Sequence, residues 1–156
     1  MSGLSVCAAA EDALPLLLCG ERACFPDPWG EGGIRGQLAS PVGLSLLCHV
    51  DGEAAGYLFA SLLPPEGEIL RIATFPAFRR RGVGRALLSE FFRRAEAAGV
   101  DRLFLDVRES NLPARALYAA GGFCEYGRRS AYYRAPREDA ILMERKSDEN
   151  DALSGL

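Results

Sequence analysis

Apolar and polar positions along the chain fall into short blocks with two different periods. A period near four is plainest over Gly82–Ala98, where Val83, Leu87, Phe91 and Ala95 recur and Leu88 and Phe92 widen the stripe. Arg85, Ser89 and Arg93 take the other side and Gly99 is a natural stop, so this segment predicts a helix. Upstream, Leu4–Ala8 reads as a short strand, and Glu11-Asp12 opens a helix running to Cys24. The two prolines of Phe25-Pro-Asp-Pro-Trp-Gly30 force a loop, and a second short helix, weakened by Gly32, Gly33 and Gly36, follows to about Ala39. Leu44–Val50 and Ala54–Leu63 flank the turn pair Asp51-Gly52, a strong hairpin signal, and Pro64-Pro65 ends the second strand. Glu68–Thr74 is a third strand. After the long helix come a strand at Arg102–Arg108, a helix at Asn111–Ala120 closed by Gly121-Gly122, a strand at Phe123–Tyr126 and a last strand at about Ala140–Glu144. Strands and helices mixed in this way predict an α/β domain, one mixed central sheet flanked by helices.

Composition adds bounds. At 156 residues the chain is one domain, placed at residues 1–146, with an acidic, polar, disordered tail over 147–156. A net charge of −3 leaves no basic footprint of a nucleic-acid binder. Cys7, Cys19, Cys24, Cys48 and Cys124 include no C-x-x-C pair, which predicts reduced thiols acting as small buried hydrophobes. His49 is the sole histidine and sits in a strand, so no metal site is expected. The apolar runs are too short to cross a bilayer, and the N-terminus has no basic leader, so a cytoplasmic protein without membrane partners is expected.

Charge becomes informative locally. Arg79-Arg-Arg-Gly-Val-Gly-Arg85 crowds four arginines onto the start of the long helix, where the helix dipole disfavours cations. No acid appears there until Glu90. Two glycines allow a tight turn with outward amide N–H groups, which together with the arginines makes an anion site suited to phosphate or pyrophosphate. A solvated basic loop is the bland alternative. The spacing fits neither the nucleoside-triphosphatase loop nor the dinucleotide fingerprint.

Those residues, as Arg79-x-x-Gly82-x-Gly84, resemble the pyrophosphate motif of the GNAT superfamily of acetyltransferases. Asn111-x-x-Ala114-x-x-Leu117-Tyr118-x-x-x-Gly122-Phe123 resembles its second coenzyme A motif at the distance that family requires. Phe25-Pro with Pro28-Trp29, Leu103–Asn111, Tyr132-Tyr133 and Arg137–Met143 are similar to the branch that acetylates the N-terminal alanine of a small-subunit ribosomal protein. The resemblance implies the GNAT acyl-CoA N-acyltransferase fold, acetyl-CoA as cosubstrate and a protein N-terminus as acceptor. It implies that Arg79, Arg80, Arg81, Gly82, Val83, Gly84 and Arg85 hold the pyrophosphate. Ile72, Ala73 and Thr74 would line the pantetheine arm, and Asn111 would bind the cofactor from the next helix.

Acetyl transfer to an amine also needs a base, an oxyanion donor and a proton for the leaving thiolate. The resemblance makes Tyr118 the proton donor; seven residues after Asn111, it would share nearly the same helix face. Packing beneath the sheet is its plainer role. Two base candidates stand. Asp106 lies among Leu103, Phe104, Leu105 and Val107, where the branch carries Glu; Glu68 lies where histone-type members place their base. Asp106 is placed first. An α-amine, at pKa about 7.7–8.0, loses its proton more readily than a lysine side chain at about 10.4, which suits a modest base. Gly30 and Arg71 depart from the branch's usual residues near the acceptor entrance. Acetylation of a lysine or a small-molecule amine, and a degenerate acyl-CoA-binding sensor, are the alternative readings.

Overall fold

Asp51 and Gly52 both adopt positive φ, 50° and 85°, and turn β2 (Gly43–Val50) into β3 (Glu53–Leu63) as the hairpin signal requires. β1 (Leu4–Ala8) pairs with β2, and β3 with β4 (Glu66–Thr74), all antiparallel. After α3 (Val83–Ala97), β5 (Arg102–Arg108) returns parallel to β4. α4 (Leu112–Ala120) then leads to β6 (Cys124–Arg134) and β7 (Arg137–Lys146), and β7 inserts between β5 and β6. The result is one seven-stranded mixed sheet of order β1-β2-β3-β4-β5-β7-β6. The computed structural model describes residues 3–147, so the tail expected at 147–156 lies, past Ser147, outside the described residues.

Three expectations need adjustment. The first helix is α1 (Leu14–Cys24), preceded by a 3₁₀ turn at Glu11–Ala13. Pro15 explains this: it lacks an N–H and fits only a first helical turn, so a helix cannot run unbroken from Glu11. The strand expected at Phe123–Tyr126 runs to Arg134, and the last strand spans Arg137–Lys146. β6 is the sheet edge; most of its residues are exposed, so it shows no inside–outside alternation to read. Its register also slips twice, at Glu125/Gly127 and Arg129/Tyr133.

α3 and α4 cover one face of the sheet. Val83, Leu87 and Phe91 pack there against Leu46, Leu58, Leu103 and Leu105, with Tyr118 in the same cluster. α1 and α2 (Glu31–Ala39) cover the other, where Leu14, Leu17 and Ile34 meet Tyr57, Phe59 and Ala73. Of the cysteines, Cys48 is buried and Cys24 half-buried. Cys7, Cys19 and Cys124 are exposed, being on outward positions of an edge strand, a surface helix face and β6. The reading of all five as buried hydrophobes is therefore corrected for those three.

The functional feature of the sheet is an interruption. β4 and β5 pair from Glu66↔Arg102 to Ile69↔Leu105 and no further. At the same level β4 bulges: Phe59 faces Arg71 and Ala60 faces Ile69, leaving Leu70 unmatched. A bulge bends its strand. From Leu70 onward β4 therefore leaves β5, and a gap opens through the sheet.

Candidate active site

On the α3–α4 face, a cavity of about 870 Å³ fills the space beside this gap. Ile72, Ala73, Thr74, Arg79, Arg80, Gly82, Val83, Gly84, Arg85 and Asn111 line it, together with Pro113, Ala114 and Leu117. Every residue expected to bind the cofactor is present except Arg81, whose guanidinium lies over the Phe78 ring at 5.5 Å. Arg80 and Gly82 both hold left-handed φ, 64° and 83°, so the chain enters α3 as a concave turn of amides. No side chain caps α3, and its first turn has no acid, so its leading N–H groups are free for an external anion. A Cβ on Gly84 would lie 3.0 Å from Leu117 Cδ2, so glycine keeps the cavity wall open between α3 and α4. Free amides, three lining arginines and no lining acid fit a pyrophosphate. The unpaired edge of β4 offers main-chain groups to an extended arm.

On the α1–α2 face, a second cleft of about 590 Å³ meets the first at Cys24, Phe25, Ile72, Asn111 and Ala114. Glu68, Asp106 and Tyr118, the three expected catalytic residues, all line it. β5 buries Leu103, Leu105 and Val107 on the opposite face, which turns Asp106 into the cleft. Glu68 pairs across the sheet with Phe104, one alternation from Asp106, so the two carboxylates share a face. Although Glu68 as a residue is exposed, partial burial of its carboxyl, and then the Asp106 charge, push it above the usual carboxylate range. Among the described residues, neither Glu68 nor Asp106 takes part in an ion pair.

Tyr118 both packs in the core and reaches the cleft. It is 5% exposed and packs edge-on against Phe123 at 5.7 Å, yet it also lines the cleft. Burial, with Tyr133 nearby, raises its phenol well above the ordinary value, so it keeps its proton. Asn111 is not within the helix but is its N-cap, accepting from the Ala114 N–H at 3.2 Å, and it lines the cavity. At the junction, the Cys24 thiol donates to the Thr74 carbonyl at 3.6 Å, and burial pushes it up against the opposing pull of Arg79.

Sequence reasoning missed the charged framework around this cleft. Glu21 is fully buried and accepts from Tyr57 Oη at 2.5 Å, from the Trp29 N–H at 2.7 Å and from Arg71 Nε and Nη2 at 3.2 and 3.0 Å. Burial and the bond to Glu21 push the Tyr57 phenol far up. Arg71 also stacks 3.8 Å over the Phe25 ring. Arg108 donates to the Pro136 and Ala135 carbonyls at 2.8 and 3.2 Å, lies 3.3 Å from Glu138 and stacks over Tyr133 at 4.3 Å. A signal for Glu21 did exist: spaced at 14, 17 and 21, it continues the buried stripe of Leu14 and Leu17.

A seven-stranded sheet parted between a parallel pair, with an anion cradle on one side and free carboxylates on the other, defines an acyl-CoA-dependent transferase. Residues 15–123 match the model of the acetyltransferase (GNAT) family, and the chain belongs to that family. It is similar to the ribosomal protein bS18-alanine N-acetyltransferase of Escherichia coli, at 40% identity over 79% of this chain and 84% of the relative. It is also similar to the N-alpha-acetyltransferase RimI of Mycobacterium tuberculosis, at 38% identity over 78% and 77%. Among solved structures, the crystal structure of the ribosomal-protein-S18-alanine N-acetyltransferase from Escherichia coli superposes with a TM-score of 0.85 at 31% identity. That match covers 94% of this chain and 97% of the other.

Proposed function

We propose that the protein transfers the acetyl group of acetyl-CoA to the α-amine of a protein N-terminus, with the N-terminal alanine of ribosomal protein bS18 as the favoured acceptor. The observation that carries this reading is the charge division at the gap. Arg79, Arg80 and Arg85 line the cofactor side without an acid, while Asp27, Glu68, Asp106 and Glu138 outweigh Arg71 and Arg108 on the acceptor side. An anionic donor and a cationic acceptor are each drawn to their own entrance. The similarity to bS18-alanine N-acetyltransferases supports the choice of acceptor, and a cytoplasmic place of action belongs to the same reading.

Bound acetyl-CoA supplies a thioester whose acyl carbon an amine can attack. The α3 amides with Arg79, Arg80 and Arg85 hold its phosphates, and Asn111 and the free edge of Ile72–Thr74 hold its arm. An N–H of that edge serves as oxyanion donor. Asp106 takes the ammonium proton, directly or through one water, with Glu68 beside it as the second carboxylate. As the new C–N bond forms and the C–S bond breaks, Tyr118 gives its proton to the departing thiolate. No protein-bound acyl group is needed, and the raised thiol of Cys24 stays protonated.

The test is a peptide carrying both an N-terminal alanine and an internal lysine, incubated with acetyl-CoA and the protein and mapped by mass spectrometry. Acetylation of the α-amine alone is the expected result. Acetylation of lysine instead would overturn the N-terminal reading.

A further inference from the structure

We infer that Asp27 is a positioning residue for the acceptor: it straps the 25–30 loop to β4 and to β5 across the gap in the sheet, and thereby sets how tightly an acceptor binds. The acceptor arm of this inference rests on the function proposed above; the strap itself does not.

Beyond Ile69 and Leu105 the two strands share no main-chain pairing, so the walls of the cleft lack the usual ladder. Side chains bridge them instead. Arg71, next to the bulge on β4, donates Nη2 to the main-chain carbonyl of Asp27 at 2.7 Å and lies 3.7 Å from its Oδ1, a buried oxygen that accepts no hydrogen bond among the described residues. Arg108, the last residue of β5, brings Nη2 to 3.4 Å from Asp27 Oδ2. Glu21 on α1 anchors Arg71 from behind at 3.0 Å, and Glu138 on β7 anchors Arg108 at 3.3 Å. Five groups of alternating sign thus run Glu21–Arg71–Asp27–Arg108–Glu138, and Asp27 is the member that touches both arginines.

Two features concentrate the effect on Asp27. Pro26 and Pro28 flank it and restrict the backbone on both sides, so the loop has few conformations to lose when it docks. The side chains of Arg71 and Arg108 are only 13% and 12% exposed. Without the Asp27 carboxylate each arginine keeps only its outer partner, Glu21 or Glu138, and no charged group joins the two walls across the gap. Asp27, Arg71, Arg108 and Glu138 line the acceptor cleft, and none of them lines the cofactor cavity. Loosening the strap therefore acts first on the acceptor cleft, which shares only its border residues, such as Phe25 and Ile72, with the cofactor cavity.

Trp29, the single tryptophan, reports on the loop without turnover: its main-chain N–H donates to Glu21 and its ring stacks on Phe59 at 5.2 Å. In Asp27→Asn, acrylamide quenching of Trp29 fluorescence should rise about twofold or more. The KM for an alanine-terminated peptide should rise about fivefold or more, the scale of a partly exposed ion pair. Acetyl-CoA affinity and kcat should stay near wild type, and Asp27→Glu should recover most of the loss. Unchanged quenching in a variant with wild-type circular dichroism and melting would overturn the strap. Increased quenching with unchanged KM would overturn its bearing on the acceptor. If Asp27→Asn does not fold, Arg108→Gln cuts the same strap from β5 and is read in the same way. A wild-type protein that acetylates no peptide would count against the proposed function, while the quenching comparison would still decide the strap.

Discussion

Asp106 and Tyr118 stand on opposite faces of one sheet and line the same cleft. Asp106 projects from β5 towards α1 and α2, whereas Tyr118 packs on the other face against Phe123. In an unbroken sheet the backbone between them would keep such a pair apart. Here the β4–β5 ladder ends at Ile69↔Leu105, and both side chains line the one cleft beside the gap beyond it.

The base is tested by Asp106→Asn. If Asp106 takes the amine proton, kcat at neutral pH should fall about 10²–10⁴-fold, while acetyl-CoA binding, measured by calorimetry, stays intact. Asp106→Glu should remain active. An unchanged kcat in the Asn variant would pass the role to Glu68 or to solvent.

The acid is tested by Tyr118→Phe. The raised phenol holds its proton through neutral and mildly alkaline pH, so the wild-type rate should show no alkaline fall owing to Tyr118 in that range. Removing the hydroxyl should lower kcat about 10²-fold or more across that same range. Equal rates for the two proteins at every pH would leave Tyr118 as a packing residue only.

Glu68 has a stability signature that does not depend on activity. Its carboxyl is raised above its ordinary 4.5, so the native state binds its proton more readily than the unfolded chain does. The sign follows: this group weakens the fold as pH rises from below 4.5 through the raised value, and the cost is complete above it. Glu68→Gln should therefore gain melting temperature relative to wild type at pH 7 and show little gain at pH 4. Thermal melts at the two pH values read this directly; the opposite ordering would show that the carboxyl is stabilised in its charged form.

The cofactor cradle is tested at Gly84. A side chain there meets Leu117 Cδ2 at 3.0 Å already from its Cβ, and a branched one would fill the cavity between α3 and α4. Gly84→Val should weaken acetyl-CoA binding about 100-fold or more by calorimetry with the fold retained, since cavity-filling clashes reach several kcal/mol.

Glu21→Ala should be the most destabilising of these substitutions. It would leave Arg71, the Trp29 N–H and the Tyr57 hydroxyl without their shared acceptor in a buried site. Breaking such a pair costs about 3–5 kcal/mol, measurable as a lower urea midpoint. Glu21→Gln, which keeps acceptor capacity, should cost less.

Elements built on local rules were legible in the chain. The α3 stripe, the Asp51-Gly52 hairpin and the arginine–glycine turn each depend on residues close in sequence, where periodicity, turn chemistry and the helix dipole act. The same holds for the residues expected to bind the cofactor, which come from one strand end, one turn and one helix cap and, Arg81 apart, line one cavity. β6 was not legible beyond Tyr126, because an exposed, twice-slipped edge strand carries no alternation. The start of α1 lies beyond the acidic start signal of Glu11-Asp12, because Pro15 is tolerated only in a first helical turn.

What the sequence by itself determined was local: a run of arginines and glycines at the start of a helix, where the dipole and free amides suit an anion. The acceptor half was decided by the tertiary structure. The bulge at Leu70, where Phe59–Ala60 face Arg71 and Ile69, falls at the level where β4 and β5 cease to pair beside Asp106. The chain of charges from Glu21 through Arg71, Asp27 and Arg108 to Glu138 joins residues as far apart as 21 and 138. Ion pairing of that range has no periodicity to betray it, since it depends on where folding brings the charges and how much water it leaves them.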